Sequence, residues 1–281
     1  RFCDKRLKTN NEALMSVAYL LLVLFGLLLL GVPVSIALGV SAISALFFFT
    51  PYNVIGSAEI MFNGLKPALM AIPMFILAGS LMSKGSSATR IVEFAKSLVG
   101  HLPGGLPISA ILACIIFAAV SGSSPATVVA VGSVMFLAIK NAGYPKSYAV
   151  GAITSAGSLG ILIPPSVVMI VYGVTAEVSI EKLFMAGVVP GLMIGLMMMI
   201  YAYVGARRLG FKATKPESFK VRFKKFKDAF WALLIIFVII GGIYGGIFTA
   251  TEAAGISAVY AFIISVFVYR DIKFKDLYAV F

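Results

Sequence analysis

Charge is what this sequence has least of. Only 12% of its 281 residues are Asp, Glu, Lys or Arg, against 60% hydrophobic residues. A soluble domain of that length could not hide so much apolar surface, so the chain is an integral membrane protein. There is one histidine, His101, and there are two cysteines, Cys3 and Cys114, far apart and without ligand spacing. That excludes a disulfide framework or a cysteine metal cluster, and leaves Cys114 as a thiol packed in a helix. An intramembrane enzyme would need a nucleophile with a base or a metal, and His101 in a loop and a solitary Cys114 supply neither. Alternating ten-residue strands are also missing, so the apolar runs are helices and not a barrel. The first run is too long for a signal peptide and lacks a small-residue cleavage site.

What is present is a series of apolar blocks. Hydropathy predicts helices over 15–31, 33–50, 66–84, 147–175, 183–205, 230–248 and 253–269, with a split pair at 107–120 and 124–139. The net charge of +12 is concentrated in 206–228, "ARRLGFKATKPESFKVRFKKFKD", where nine Lys/Arg face two acids. Next to membrane helices such a run marks the cytoplasmic side, and it needs no nucleic-acid partner to explain it. From that anchor 183–205 runs outside to inside, 147–175 starts inside, and the flank 83–105 also lies inside. Carried back through the earlier spans, parity puts the amino terminus outside. The four Lys/Arg in "RFCDKRLK" favour the inside.

Both ends of the split pair therefore face the cytoplasm. Its uninterrupted apolar runs, 107–120 and 129–139, are 14 and 11 residues long, too short to cross a bilayer, which takes about 20 helical residues. The pair reads as a re-entrant hairpin with "SGSSPATVV" (121–129) at its tip.

A second interruption lies in 147–175, at Gly157-Ser158-Leu159-Gly160 and Pro164-Pro165-Ser166. Proline lacks an amide hydrogen and disfavours helix in the residue before it. Pro164 and Pro165 therefore free carbonyls on the preceding turn, and Pro165 can start a new half-helix. Non-helical backbone at membrane depth is tolerated only inside protein or beside a watery cavity, so a binding site is expected there. No Asp, Glu, Lys, Arg or His occurs in 102–139 or 147–176, which argues against a proton relay or a divalent metal. Freed carbonyls with Ser and Thr hydroxyls suit Na⁺, while half-helix amino termini suit an anion. Co-transport of Na⁺ with an anionic solute is the expected function.

The chain also repeats itself. "LGVSAISALFFF" (38–49) aligns with "AGISAVYAFIIS" (254–265), pairing Gly39 with Gly255, Ser41 with Ser257 and Ala45 with Ala261. Extending the frame pairs Ser35 with Thr251 and Ala37 with Ala253. The five spans of the first copy would start the second on the opposite face of the membrane, an inverted repeat. That second copy has barely begun at Phe281, which favours a chain that is about half of a longer protein.

Four separated motifs, "SGSSPATVVAVGS" (121–133), "AGSLGILIPPSVVMIVYG" (156–173), "SIEKLFMAGVVPGL" (179–192) and "GGIYGGIFTATEAAGISAVY" (241–260), resemble the large membrane subunit of tripartite ATP-independent periplasmic (TRAP) transporters. The resemblance covers 15–281. It implies an all-α, inverted-repeat fold working as an elevator in the bacterial inner membrane. The implied organisation is a polar segment 1–14, a first repeat 15–205, a basic cytoplasmic loop 206–228 and the start of a second repeat, 229–281. Within the first repeat lie scaffold helices (15–84), an arm helix on the lipid surface (86–100), the hairpin (107–140), the broken helix (147–175) and the span 183–205. Ile91, Phe94, Ala95 and Leu98 form one apolar face of the arm by spacing.

Also implied are Na⁺ coupling, a small membrane subunit, and a periplasmic binding protein that delivers a carboxylate such as a sialic acid or dicarboxylate. Carried over residue by residue, the Na⁺ and substrate site comprises Ser121, Gly122, Ser123, Ser124, Thr127, Gly157, Ser158, Gly160 and Ile163. The ion itself would lie at Ser121, Ser123, Ser124, Gly157 and Gly160, with Pro125, Pro164 and Pro165 holding the breaks open. The family's usual "TPTEAA" is Thr249-Ala-Thr-Glu-Ala-Ala254 in this chain, and Glu252 reads as an interfacial structural acid, with capping or pairing as the alternative. Gly241, Gly242, Gly245 and Gly246 form overlapping GxxxG patterns that signal close helix packing. A related Na⁺-coupled anion transporter or exchanger that works alone, and a passive channel, are the rival readings.

Overall fold

The computed structural model describes residues 2–49 and 66–272, and every regular element among them is helical. The stretches 50–65, within the expected scaffold segment, and 273–281, at the end of the second copy, lie outside the described residues. The chain divides into two compact units, 1–66 and 67–281.

In the first unit, α1 (Phe2–Leu29) does not begin at the apolar run but continues back through the polar segment. Neither glycine nor proline occurs before Gly26, so nothing interrupts the helix. It ends in a Schellman motif: Gly31 sits at φ 78°, Gly31 N–H donates to Leu28 O, and Val32 N–H donates to Leu27 O. Pro33 then opens α2 (Val34–Phe49), whose Ala37, Ser41 and Ala45 form a buried stripe of small residues. Tyr19 meets the rings of Phe48 and Phe49 at 5.8 and 5.3 Å, closing an antiparallel hairpin.

The second unit opens with a 3₁₀ turn, Pro67–Met70, running into α3 (Ala71–Lys84). There follow α4 (Ser87–Val99), α5 (Gly105–Ser121), α6 (Ser124–Asn141), α7 (Lys146–Gly157), the single turn α8 (Leu159–Leu162) and α9 (Val167–Thr175). The last three are α10 (Ile180–Arg208), α11 (Phe219–Tyr244) and α12 (Ala250–Ile263), the last continuing as a π-helical turn over Ile264–Val268. Among the described residues five helices are long and apolar enough to cross a membrane, and six if the bent α7–α9 segment counts as one span. The protein is a multi-pass α-helical membrane protein.

Helix α5 is the centre of this unit. Thirteen of its 17 residues are buried, on all sides, against α3, α4, α6, α7, α8, α10 and α11. A helix that is hydrophobic all round must be buried all round, and α5 obeys that rule inside protein. Cys114, fully buried there, is a packing residue. On the flank, α3 packs along α12, whose start is fixed by a capping box: Thr249 N–H donates to Glu252 Oε2 at 2.8 Å, and Glu252 N–H to Thr249 Oγ1 at 3.3 Å. Glu252 thus caps its own helix.

The arm, α4, buries Ala88, Ile91, Val92 and Ala95, while Leu98 remains 36% exposed. The buried face is thus rotated towards Val92 from the expected one. The arm packs on α5 and α11, and on the α11 side Phe94 meets Phe226 at 5.6 Å and Lys225 reaches Glu93 at 3.4 Å. Its N-terminus is tied to the far end of the unit: Asp271 Oδ2 accepts from Ser86 N–H at 2.8 Å, and the Arg90 guanidinium lies over the Tyr269 ring at 4.1 Å. The four glycines at 241–246 end α11 instead of mediating helix packing. Gly246 has φ 67°, and Phe248 folds back with its N–H on Gly242 O at 3.1 Å and its ring where a Gly242 Cβ would stand.

Candidate functional site

Helices α5 and α6 are joined by two residues, Gly122 and Ser123. Gly122 is left-handed, φ 59°, and ends α5 with its N–H on Ala118 O at 3.0 Å. A Cβ there would lie 2.6 Å from Pro165 O, so glycine is required both by conformation and by space. Ser123 is extended (φ −134°, ψ 124°) and N-caps α6, its carbonyl accepting from Thr127 N–H at 3.0 Å and from Thr127 Oγ1 at 2.9 Å. Pro125 stands in the first turn of α6, where a missing N–H costs nothing, so it starts the outgoing helix. Beneath the turn the hydroxyls of Ser121 and Thr127, both fully buried, pair at 2.9 Å. Those two hydroxyls hold the turn together.

The second interruption is unequal in its two parts. At Ser158 the backbone stays helical (φ −62°, ψ −20°), so the Gly-Ser run only loosens the helix. The true break is 163–166, across which the axis turns by 40°. Ile163 N–H still reaches Leu159 O at 2.8 Å, but Pro165 has no N–H to give, and Ser166 is extended (φ −124°, ψ 128°) before α9 resumes.

Break and tip lock into one another. Val167 N–H, at the start of α9, donates to Gly122 O at 3.1 Å. A Cβ at Gly160 would come within 2.9 Å of the Ser123 carbonyl and the Ser124 nitrogen, and one at Gly79 within 2.9 Å of Ser121 Cα. Backbone therefore lies on backbone at three places around the tip. Helix α10 supports the break from behind with a glycine every fourth residue: Cβ atoms at Gly187, Gly191 and Gly195 would strike Leu162 O, Ile163 Cγ1 and Ile115 Cδ1 at 2.5, 2.9 and 2.6 Å.

The predicted residues Ser121, Gly122, Ser123, Ser124, Thr127 and Gly160 thus share one cluster with Pro165. Gly157 adjoins it, with its Cβ position at Val128 and 3.6 Å from Ser124 O. Ile163 is buried at the break itself, against Gly191. Pro164 is buried in the break as well. Ser158 stands apart: its side chain is exposed and its hydroxyl donates to Ser155 O at 2.7 Å.

Sequence reasoning missed Ser166. It is fully buried, its Cα lies 3.6 Å from the Gly122 Cβ position, and its Oγ has no hydrogen-bond partner. The available signal was a hydroxyl residue directly after a proline pair, where a resumed helix puts its N-cap.

Chemically, the cluster is uncharged and rich in oxygen. Among the described residues no three His, Cys, Asp or Glu side chains gather to hold a metal. Ser123 and Ser124 bring two more hydroxyls to the tip, and the buried hydroxyl of Ser166 has no partner among the described residues, which is costly unless something is bound. The C-terminal turns of α5 and α8 bring carbonyls to the cluster, and α6 and α9 start there with the positive ends of their dipoles. Hydroxyl and carbonyl oxygens without a carboxylate fit a hard monovalent cation better than a divalent one.

Comparison with known proteins agrees with the sequence resemblance. The family described as "Tripartite ATP-independent periplasmic transporter, DctM component" matches residues 21–281. The C4-dicarboxylate TRAP transporter large permease protein DctM of Rhodobacter capsulatus is 47% identical over 275 residues, covering 91% of this chain and 62% of the relative. Its counterpart in Vibrio cholerae is 47% identical over 259 residues, covering 92% and 57%. An ectoine TRAP transporter large permease protein of Halomonas elongata is 42% identical over 262 residues, covering 92% and 61%. The chain therefore spans about three fifths of the length of these curated relatives.

Proposed function

Because the chain belongs to the DctM family of TRAP transporters, we propose that it forms part of a Na⁺-coupled large permease of the bacterial inner membrane that imports a small carboxylate. The observation that carries this is the interlock of an uncharged hairpin tip with a proline-broken helix, with Ser166 orphaned between them. Na⁺ is bound by oxygens from Ser121, Ser123, Ser124, Gly157, Gly160 and Ser166, and the amino-terminal ends of α6 and α9 favour the anionic solute beside it. When bound, Na⁺ supplies positive charge to a site whose own residues carry none. Gly122, Gly160 and Pro165 hold the two breaks in register. Of the two solute classes expected, a C4-dicarboxylate is favoured over a sialic acid, since relatives at 47% identity are named for it.

The same reading makes α5–α6 a re-entrant hairpin that moves with α7–α9 as an elevator. An inverted repeat is supported by burial: Ala37, Ser41 and Ala45 in α2 match Ala253, Ser257 and Ala261 in α12, all six buried. The helix starts Val34 and Ala250 fall together in the same frame. A small membrane subunit and a periplasmic binding protein complete the transporter. The test is uptake of labelled C4-dicarboxylate into proteoliposomes holding the complete permease, its small subunit and the binding protein. An inward Na⁺ gradient should drive accumulation and an equal K⁺ gradient should not. Uptake indifferent to Na⁺ overturns the coupling, and uptake without the binding protein overturns the tripartite assembly.

A further inference from the structure

A groove of about 650 Å³ lies between α5, α7 and α10, lined chiefly by apolar side chains such as Ile111, Ala152, Ile194 and Met198. Tyr148 and Tyr201 line it and also a second hollow of about 370 Å³, which reaches Gly205, Arg208 and Leu209 at the end of α10. The two hollows thus make one channel, hydrocarbon at one end and cationic at the other. Its wall is firm near the join: Tyr148 OH donates to Ala202 O at 2.8 Å, and Tyr144 stacks between Tyr148 at 5.6 Å and Phe211 at 3.7 Å. Tyr201 is 76% exposed beside it. Among the described residues no acidic side chain lines either hollow, and Arg208 makes no ion pair.

We propose that this channel is a binding site for an anionic phospholipid of the cytoplasmic leaflet, with its phosphate at Arg208 and an acyl chain along Ile194, Met198 and Ile111. Three features on this surface select that occupant. The cationic end lies at the start of the basic stretch 206–228, which marks the cytoplasmic interface where anionic headgroups sit. Tyrosines at the junction of apolar and cationic ends are what a headgroup boundary favours. The apolar length beyond them has no polar group that a solute would need, only the hydroxyls of Ser147 and Ser155 at its α7 edge. Gly151 leaves the channel open, since a Cβ there meets nothing within 4 Å.

The experiment uses the complete permease in nanodiscs with a photoreactive acyl chain carried on phosphatidylglycerol or on phosphatidylcholine. Crosslinked peptides are then identified by mass spectrometry. Phosphatidylglycerol should label the α10 peptide containing Met197 and Met198 in preference to phosphatidylcholine. Arg208→Gln, at an exposed helix end, should reduce that preference roughly 5-fold, as one basic residue at a membrane surface is worth about a factor of that size. Gly151→Phe should fill the channel and abolish labelling by both lipids. Equal labelling by the two lipids in the wild type, an unchanged preference in Arg208→Gln, or crosslinks to polypeptide in place of lipid would overturn the proposal. Should Gly151→Phe fail to assemble, the Arg208→Gln arm decides the matter alone.

Discussion

Replacing Ser166 by Ala separates a ligand from a packing residue by the sign of its effects. The hydroxyl is fully buried and unpartnered among the described residues, and it follows Pro165, whose carbonyl lies against the Gly122 Cβ position. A buried hydroxyl without a partner carries a desolvation penalty of about 1–3 kcal/mol. Deleting it therefore stabilises the Na⁺-free protein, and the void left by one oxygen is too small to reverse the gain. With Na⁺ present the same deletion removes a ligand. A loss on the order of 1–3 kcal/mol corresponds to a 5- to 150-fold higher Na⁺ requirement. The assay has two halves: thermal unfolding of the purified permease in choline, and half-saturating Na⁺ for uptake in proteoliposomes. The expected result is a higher melting temperature in choline together with weaker Na⁺ activation. A variant destabilised in choline with normal Na⁺ activation would show that Ser166 makes a structural bond and is no ligand.

Three further outcomes are expected. Gly122→Ala forces an L-residue into the left-handed region and drives a methyl at Pro165 O, costing about 2–3 kcal/mol with the loss of the Val167–Gly122 bond; Na⁺-driven uptake should fall at least tenfold while the small subunit still co-purifies. Burial alone would raise the carboxyl pKa of Glu93, but Lys96 and Lys225 outweigh it and hold the group below its usual 4.5. The contact of the arm with α11 is therefore at full strength above pH 4.5 and weakens as pH falls through the lowered value. The pair is solvent-screened and worth at most about 1 kcal/mol, so hydrogen exchange of 87–99 should quicken modestly in acid and Glu93→Gln should flatten that response. Finally, Lys215→Cys in a background lacking Cys3 and Cys114 should react with an impermeant thiol reagent from the cytoplasmic side only; labelling of intact cells from outside would reverse the orientation.

The sequence showed the interruptions better than their anatomy. Long apolar blocks, a tip of small hydroxyl residues and a proline pair are local signals, and each left its mark where the chain bends. What α5 lacked in length could be counted, but its burial by seven other helices is a tertiary fact that no periodicity in its own residues reveals. Gly157 to Gly160 and the proline pair looked equivalent in sequence. Only the prolines remove a donor, so only they turn the axis. Gly187, Gly191 and Gly195 were invisible as a site feature because their importance lies in the Leu162 carbonyl and the Ile163 and Ile115 side chains, on other segments. Ser166 is visible in sequence only as part of the break, since being unpartnered is a property of its surroundings. The glycines at 241–246 misled through their spacing: GxxxG serves helix contact and helix termination alike, and the left-handed Gly246 decides for termination.

A Na⁺ site formed by the locked tip and break must show itself as cation-specific stabilisation. Its most direct test is the thermal stability of the purified complete permease titrated with Na⁺, K⁺ or choline, in the wild type and in the Pro164→Ala, Pro165→Ala double variant. A site-specific cation stabilises by RT ln(1 + [L]/Kd), about 2.7 kcal/mol at a hundredfold excess over Kd. The wild type should gain an increment of that kind from Na⁺ and not from K⁺. The double variant, whose helix can run through the break and take its carbonyls back, should fold and gain none. Equal stabilisation by K⁺, or an undiminished Na⁺ increment in the folded double variant, would rule out a Na⁺ site at the tip and break.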